Sequence, residues 1–230
     1  MPSTALATVS SVPDSRFVEG ILAPDLKIVL AGAKLRRFHA NSVVVNQGDP
    51  AERLYLIVKG RARYCYTTDD GRKLLLFWLT PGDIFGGAAL LSDPLTYLVS
   101  TETVKETTLL VWDRATIRRL AAIYPRLIEN ALGFASDYLV WYLGTHVALA
   151  SRSARQRLAR VLVYLAQSIG QKVPEGSQFD ATNEELAGAA NITTFTASRL
   201  LNEWQRSRAL IKRRGKILLL SPQKLSLRTT

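Results

Sequence analysis

The sequence predicts an α+β chain in which an N-terminal antiparallel β domain is followed by a long helix and a C-terminal winged helix-turn-helix. Three observations predict this order. β-branched and aromatic runs alternate with turn residues up to residue 112. Apolar residues then recur at helical spacing, and the last third combines two capped helices with a basic hairpin. We expect a flexible arm over residues 1–15, the β domain over 16–118, the long helix over 119–150 and the winged helix over 151–230.

Composition and cysteine content restrict the class of protein. Of the 230 residues 47% are hydrophobic, so the chain can bury a core. No run approaches eighteen consecutive apolar residues, so we expect no membrane span, and the N-terminus lacks the basic start and long apolar segment of a signal peptide. The single cysteine, Cys65, excludes an internal disulfide and a multi-cysteine iron–sulfur or zinc site. We therefore expect a cytoplasmic protein.

The β domain is predicted from short runs bounded by turns. Residues 16–38 first show helical periodicity that ends on Lys34, Arg36 and Arg37. The strand-like runs that follow are residues 43–45, 54–58, 62–66, 74–79 and 108–112. Asp70-Gly71 lies between two of these runs and predicts a hairpin. Regular short strands of this kind predict an antiparallel barrel or sandwich.

From Pro125 the apolar residues follow a 4-3-4-3-4-3 spacing, which is a heptad seam over three repeats. A helix of about 24 residues is roughly 36 Å long. That is longer than packing within one domain usually needs, so we expect the seam to pack against its twin in a parallel homodimer. Packing on its own domain is the alternative. The seam residues are Ile128, Leu132, Ala135, Leu139, Tyr142, His146 and Leu149.

The last third predicts a winged helix-turn-helix. A helix is predicted over residues 154–168, followed by a loop over 170–176. Thr182 and Glu185 form a capping box for a short helix, and Thr193 is placed to cap a second helix that ends near Ser207. The apolar and basic residues of 210–220 then predict a hairpin, the wing.

Charge is concentrated in the same region. Residues 151–230 contain 14 Lys and Arg against 5 Asp and Glu, whereas residues 1–150 contain 16 against 14. A basic module on a nearly neutral body indicates double-stranded DNA as a partner. Arg199 is a candidate for bidentate contact with guanine, with a phosphate or intramolecular ion pair as its alternative role. Phe195 either contacts a thymine methyl or packs inside the module. The candidate DNA-binding residues are Thr193, Thr194, Phe195, Ser198, Arg199, Lys212, Arg213, Arg214 and Lys216.

The chain resembles the cyclic-AMP receptor protein / fumarate–nitrate regulator family of bacterial transcription factors. The resemblance rests on residues 44–60 (VVNQGDPAERLYLIVKG), on Gly71 and residues 81–86 (PGDIFG), and on residues 193–201 (TTFTASRLL) with the wing. It implies a β-roll that senses an effector, a long dimerisation helix and a winged helix-turn-helix that binds a two-fold symmetric operator. RNA polymerase is a further candidate partner.

The expected effector pocket departs from the family pattern. In members that bind cyclic AMP, the resemblance places a Glu for the ribose after Phe-Gly and a later Arg-Ser or Arg-Thr pair for the phosphate. Gly87 and Tyr97-Leu98 occupy these positions here, and a buried phosphate without arginine loses its strongest hydrogen bonds. We expect an unknown effector other than cyclic AMP, or none. The candidate pocket residues are Phe85, Gly86, Gly87, Ala88, Tyr97, Leu98 and Tyr142.

The second predicted helix departs from the family as well. Members usually carry Arg-Glu or Val-Glu where this chain has Thr194-Phe195, and phenylalanine cannot accept a hydrogen bond from cytosine. Ser198-Arg199 matches the fumarate–nitrate branch. The operator is therefore expected to share the family's symmetry without its full half-site.

Other functions are less well supported by the residues. No metal site or cofactor is predicted, and haem is the alternative left open: it would need axial ligands, and the two histidines are His39 and His146, the latter on the helix seam. A cupin-like metalloenzyme lacks its histidine set, and no catalytic triad is suggested, so we expect a non-enzyme. A cyclic-nucleotide-binding-like regulatory subunit acting on a protein partner is the alternative function, but it does not account for the basic C-terminal module.

Overall fold

The computed structural model describes residues 14–226 apart from residues 72, 94 and 214. It divides into two compact units, Met1–Leu139 and Val140–Thr230. The helices are α1 (Ala23–Ala31), α2 (Arg114–Ile123), α3 (Arg126–Ser151), α4 (Ala154–Ser168), α5 (Asn183–Ala190), α6 (Thr194–Arg206) and α7 (Pro222–Ser226). The strands are β1 (Lys34–Phe38), β2 (Val43–Val45), β3 (Arg53–Lys59), β4 (Ala62–Thr67), β5 (Lys73–Leu79), β6 (Ile84–Phe85), β7 (Ser100–Thr103), β8 (Thr107–Asp113), β9 (Gln171–Val173), β10 (Gly176–Asp180), β11 (Leu210–Arg213) and β12 (Lys216–Leu219).

The N-terminal unit is a β-roll of two antiparallel sheets, with strand orders β1-β8-β3-β6 and β2-β7-β4-β5. β4 and β5 pair across Asp70-Gly71, which confirms the predicted hairpin. Apolar side chains from both sheets meet between them and form the roll core. Its buried members are Val45, Ala51, Tyr55, Ile57, Ala62, Leu79, Phe85, Tyr97 and Leu109.

A second core joins the outer face of the first sheet to the helices of this unit. Trp112 on β8 is fully buried there, and its Nε1 donates a hydrogen bond to the carbonyl of Val29 in α1 at 2.8 Å. On α3, Leu127 and Phe134 belong to the same core. Asn130, between them, donates to the carbonyl of Phe17 at 3.0 Å. One face of α3 is thereby fixed to the roll.

The prediction that the N-terminal helix extends to Lys34, Arg36 and Arg37 is wrong. The helix ends at Ala31, and Lys34–Phe38 forms strand β1, which pairs with β8. β1 is an edge strand whose side chains are mostly exposed, so it carries charges and lacks the alternation of a half-buried strand. Its conformation comes from cross-strand hydrogen bonds that local sequence does not encode.

Two predicted segment boundaries also need correction. The boundary between residues 118 and 119 falls inside α2, which Asp113 caps through a 2.8 Å hydrogen bond from the Thr116 amide. α3 begins only after Tyr124 and Pro125. Ser15 was assigned to the flexible arm but is buried, and its hydroxyl donates to the carbonyl of Gly82 at 2.6 Å. Residues 1–13 of that arm lie outside the described residues.

In the C-terminal unit α4, α5 and α6 pack together, and α4 and α6 also contact a sheet of order β11-β12-β10-β9. This is the predicted helix-turn-helix with its wing. The predicted loop over residues 170–176 is wrong in part, because residues 171–173 form β9 and pair with β10. β9 is short and polar, so only its pairing defines it. Within the described part of the chain, no helix is both long and apolar enough to cross a membrane.

Candidate nucleic-acid interface and effector pocket

The two helices of the helix-turn-helix begin at the predicted caps. The Glu185 amide donates to Thr182 Oγ1 at 3.1 Å, and the Thr182 amide donates to the Glu185 carboxylate at 2.8 Å. Asn191 ends α5 in the left-handed region, with φ at 47°. The Thr196 amide donates to Thr193 Oγ1 at 3.1 Å, which caps α6. Both caps are therefore confirmed, and the turn is fixed by a residue type that tolerates positive φ.

α6 has one buried face and one open face. Its buried residues are Ala197, Leu200, Leu201 and Trp204, at helical spacing. Thr194, Phe195 and Arg199 are exposed, and Ser198 is half-buried. Phe195 is 78% exposed, so it does not pack inside the module, which was its alternative role. The predicted contact residues of α6 thus lie together on the side away from the core.

Arg199 forms the intramolecular ion pair that was given above as its alternative role. Its Nη1 lies 2.6 Å from Glu203 Oε1, one helical turn later. Glu203 also pairs with Arg155 on α4, and the Arg155 guanidinium lies 5.4 Å from the centre of the Trp204 ring. The pair engages Nη1 of the Arg199 guanidinium, which carries five N–H donors in all. Arg199 is therefore oriented by Glu203 while most of its donors stay available.

The wing is the β11–β12 hairpin. Arg213 and Lys216 pair across its tip and both are exposed, whereas Lys212 is half-buried. Gly215 has φ at 70°, which the tight turn requires. Like charges directly opposite each other on a hairpin are unfavourable unless an anion lies nearby. Arg214, also predicted as a DNA contact, lies outside the described residues.

Several arginines of the basic region have structural roles instead. Arg157 on α4 donates to the carbonyls of Ala190 and Asn191, at 2.9 and 3.1 Å, and so holds the turn between α5 and α6. Arg160 donates to the carbonyl of Gly144 at 2.8 Å. Net charge by itself cannot separate such residues from those that face a partner. The signal that distinguishes them is their position on a helix buried at Leu158, Leu162 and Leu165.

The predicted effector pocket surrounds the turn after β6. Gly86 has φ at 78°, and a Cβ there would lie 2.4 Å from the carbonyl of Arg53. Gly86 is thus required by backbone geometry. Gly87 is exposed, and a Cβ there would meet none of the described atoms within 4 Å. Phe85 is buried and stacks on Tyr55 with ring centres 4.5 Å apart, and Ala88 packs against the roll core.

Tyr97 occupies the position where the family pattern would place a phosphate-binding arginine. Its hydroxyl accepts from the Arg53 amide and donates to the Arg53 carbonyl, both at 3.0 Å. Burial raises the pKa of Tyr97 above its ordinary value, so this hydroxyl stays neutral. Leu98 is 82% exposed, so its assignment to the pocket is wrong. The local chain turns it outward while Tyr97 faces the core.

The tyrosine of α3 that contacts the roll is Tyr138, which the sequence did not single out. Its hydroxyl donates to the carbonyl of Ile84 at 2.9 Å, and its ring meets Phe77 edge to face at 5.0 Å. Tyr142, the predicted pocket residue, is exposed one turn later and stacks on His146. Tyr138 and Phe77 therefore pack against the aromatic and aliphatic side chains of the roll core.

Cys65 is a buried thiol of the roll. Burial, with the nearby Glu102 carboxylate, raises the pKa of Cys65 to about 11, so it is protonated at neutral pH. The negative charge of Glu102 is balanced by ion pairs with Arg63 and Lys73. Within the described ranges, no group of three or more His, Cys, Asp and Glu is placed to hold a metal ion.

The heptad seam of α3 is not covered by the described part of the chain. All seven of its residues are exposed in the single chain. Leu132 and Leu139 are 65% and 58% exposed, although the opposite face of the same helix is buried at Leu127 and Phe134. A monomeric protein rarely leaves an apolar row of this length open to water.

Comparison with known protein families matches both units. Residues 35–124 match the family described as "Cyclic nucleotide-binding domain", and residues 156–228 match the "Crp-like helix-turn-helix domain". A CRP-like cAMP-activated global transcriptional regulator of Mycobacterium tuberculosis is 29% identical over 188 residues, covering 80% of this chain and 82% of that protein. The global nitrogen regulator of Synechococcus elongatus is 26% identical, covering 84% and 88%.

Solved structures share the fold. The c-di-GMP responsive global regulator CLP of Xanthomonas campestris superposes with a TM-score of 0.76 at 24% identity, over 87% of this chain and 100% of that one. A CooA mutant from Carboxydothermus hydrogenoformans gives 0.70 at 26% identity, over 86% and 88%. The matched families and relatives are transcription regulators, not enzymes.

We expect Thr193→Ala to lower the free energy of unfolding by about 1 kcal/mol, because the amide of Thr196 loses its capping acceptor. Thr194→Ala is the matched control, since Thr194 is exposed in the first turn and caps nothing. It should change stability by less than about 0.5 kcal/mol. Urea denaturation followed by circular dichroism measures both. Equal effects of the two variants would contradict the assignment of Thr193 as the cap.

Proposed function

This chain belongs to the cyclic-AMP receptor protein / fumarate–nitrate regulator family of transcription regulators, and we propose that it acts as a homodimer on a two-fold symmetric DNA operator. The observation that carries this proposal is that Thr194, Phe195 and Arg199 of α6 are exposed in the same unit as the exposed cations Arg213 and Lys216 of the wing. A helix of this kind enters the major groove by its N-terminal residues. A regulator of this kind acts in the cytoplasm, where RNA polymerase is a candidate partner.

Each exposed group has a distinct role in the proposed complex. Arg199 binds guanine O6 and N7, with Glu203 holding its guanidinium in position. Phe195 contacts a thymine methyl, because its ring is fully outside the core. Arg213 and Lys216 bind phosphates on one side of the groove, which relieves the repulsion across the hairpin. Base selectivity then comes from α6 and general affinity from the wing.

The proposed dimer forms along the seam of α3. Burying Leu132 and Leu139 against a second copy removes apolar surface from water, at about 25 cal/mol per Å². In a dimer of parallel helices, the two winged helices are related by a two-fold axis, which is also the symmetry of a palindromic operator. The buried face of α3 cannot serve this purpose because it already packs on the roll.

We further propose that the effector is not cyclic AMP. Relatives are described as cAMP-activated or as c-di-GMP responsive, so membership of the family does not set the ligand. Tyr97 bonds to the backbone of its own chain where a phosphate would need a cation, and Gly87 offers no carboxylate for a ribose. The roll core suits a more apolar ligand, or none.

Selection from a random double-stranded DNA library, with and without a panel of small molecules, tests the proposed function. We expect enrichment of a palindrome whose half-sites are about one helical turn apart. Small molecules that change the enrichment would identify the effector. A library that shows no enrichment under any condition would contradict a sequence-specific operator.

Two arginine variants separate base recognition from phosphate binding. Arg199→Ala should weaken operator binding by about 1–3 kcal/mol and leave random DNA nearly unaffected. Arg213→Ala should weaken binding to all sequences similarly and lower the salt slope by about one. Arg119→Ala on α2 removes the same charge from the other unit and is the control. If Arg199→Ala weakened operator and random DNA equally, its assignment to a base would be wrong.

Leu139→Glu should convert the dimer to a monomer, because the variant places a carboxylate in each half of the seam. Sedimentation equilibrium measures the change, and operator affinity should fall with it. Leu98→Glu introduces the same charge at a site that is 82% exposed, outside α3, and should leave the dimer intact. A Leu139→Glu protein that stayed dimeric would place the interface elsewhere.

Isothermal titration with cyclic AMP should show a Kd weaker than about 1 mM, since the phosphate finds no arginine at Tyr97. The Mycobacterium tuberculosis relative described as cAMP-activated is the positive control. Micromolar binding to this chain would overturn the proposal.

A further inference from the structure

A cavity of about 320 Å³ opens on the N-terminal unit beside strands β1, β3 and β8. Among the described residues, it is lined by the cations Lys34, Arg36 and Arg53 and by the carboxylate of Asp113. Phe38, Tyr55 and two valines form its apolar part. A volume of this size accommodates a small organic ligand.

The strand register explains why these residues converge. Alternate side chains of β1 share a face, so Lys34, Arg36 and Phe38 point the same way while Arg37 points the other way. Lys34 and Tyr55 are both paired with Val111 of β8, and Arg53 is paired with Asp113. Three antiparallel strands therefore bring cations and aromatic rings to one concave surface.

Among the described lining residues of this cavity, three cations face one carboxylate. None of Lys34, Arg36 and Arg53 forms an ion pair with the part of the chain that the structure describes. The Asp113 carboxylate is already engaged, since it accepts hydrogen bonds from the Thr116 amide and hydroxyl at 2.8 and 3.0 Å. These bonds and, to a smaller degree, the charge of Lys34 hold the pKa of Asp113 below its ordinary value. Cations confined around a partly apolar surface attract an anion.

Part of the cavity wall is held in place by contacts within the unit. Tyr55 is 3% exposed and stacks on Phe85 with its ring plane 3° away from parallel. The backbone of Arg53 is held on both its amide and its carbonyl by the Tyr97 hydroxyl. The backbone and the aromatic wall are therefore preformed, whereas the exposed side chains of Lys34, Arg36 and Arg53 become ordered when an anion binds.

We propose that this cavity binds a small organic anion in which a flat apolar group carries a phosphate or a carboxylate. The anionic group lies among Lys34, Arg36 and Arg53, where charge-assisted hydrogen bonds are available. The flat group lies against Phe38 and Tyr55. This site is separate from the effector turn and from the DNA-binding module, and its occupancy does not depend on the proposed DNA function.

Titration of the full chain with phenyl phosphate tests the site, because this probe combines one ring with one dianion. We expect saturable binding by isothermal titration calorimetry, with phenol and inorganic phosphate each binding more weakly. Lys34→Gln and Arg36→Gln should weaken phenyl phosphate at least about tenfold, the loss of one charge-assisted hydrogen bond. Arg37→Gln is the matched control on the opposite face of β1 and should change affinity by less than about twofold.

Three results would overturn the proposal. Phenyl phosphate would show no saturable binding at millimolar concentration, Arg37→Gln would weaken it as much as Arg36→Gln, or inorganic phosphate would bind as tightly as phenyl phosphate. Since Lys34, Arg36 and Arg37 are exposed, the variants should retain the fold, and circular dichroism verifies this. Operator binding by Arg36→Gln should equal that of the unsubstituted chain, which distinguishes this site from the DNA-binding module.

Discussion

The pairing of β3 with β8 supports the whole N-terminal unit, because each of these strands is buried on both faces. Leu54 and Leu56 of β3, with Trp112 of β8, enter the core shared with the helices. Tyr55 and Ile57 alternate with them and enter the roll core. A shift of the β3–β8 pairing by one residue would move each set of side chains into the other core, so the packing of both cores specifies the register. The sites proposed for this unit depend on it: the cavity at the end of these strands, the turn after β6, and the free face of α3.

Only some strands of this unit could be predicted from local sequence. β3 and β5 are dense apolar runs, and their strands follow from composition. β1 is an edge strand with exposed charged residues, and β7 carries polar residues that are buried only through pairing with β2 and β4. Neither has a local signature, since tertiary hydrogen bonds define them. The caps at Thr182 and Thr193 were predictable because a capping bond spans three residues of one chain segment.

The candidate DNA-binding surface shows the same division between local and tertiary information. Spacing along α6 is enough to separate Leu200 and Trp204 from Phe195 and Arg199. The sequence could not show that Glu203 joins Arg199 to Arg155, because that contact depends on how α4 crosses α6. Nor could it show that Arg157 holds the turn of the motif. A count of charges therefore overstates the cations that face a partner, and the geometry of each guanidinium decides its role.

Arg53 connects the two candidate ligand sites of the roll. Its backbone amide and carbonyl are bonded to Tyr97, and the same carbonyl lies where any side chain at Gly86 would clash. Arg53 also lines the cationic cavity. A ligand that moved Arg53 in the cavity would strain the bonds of Tyr97, and a ligand that displaced Tyr97 would release Arg53. Coupling between sites is reciprocal, so any change that an anion in the cavity made to the affinity at the turn would be matched by an equal change in the other direction.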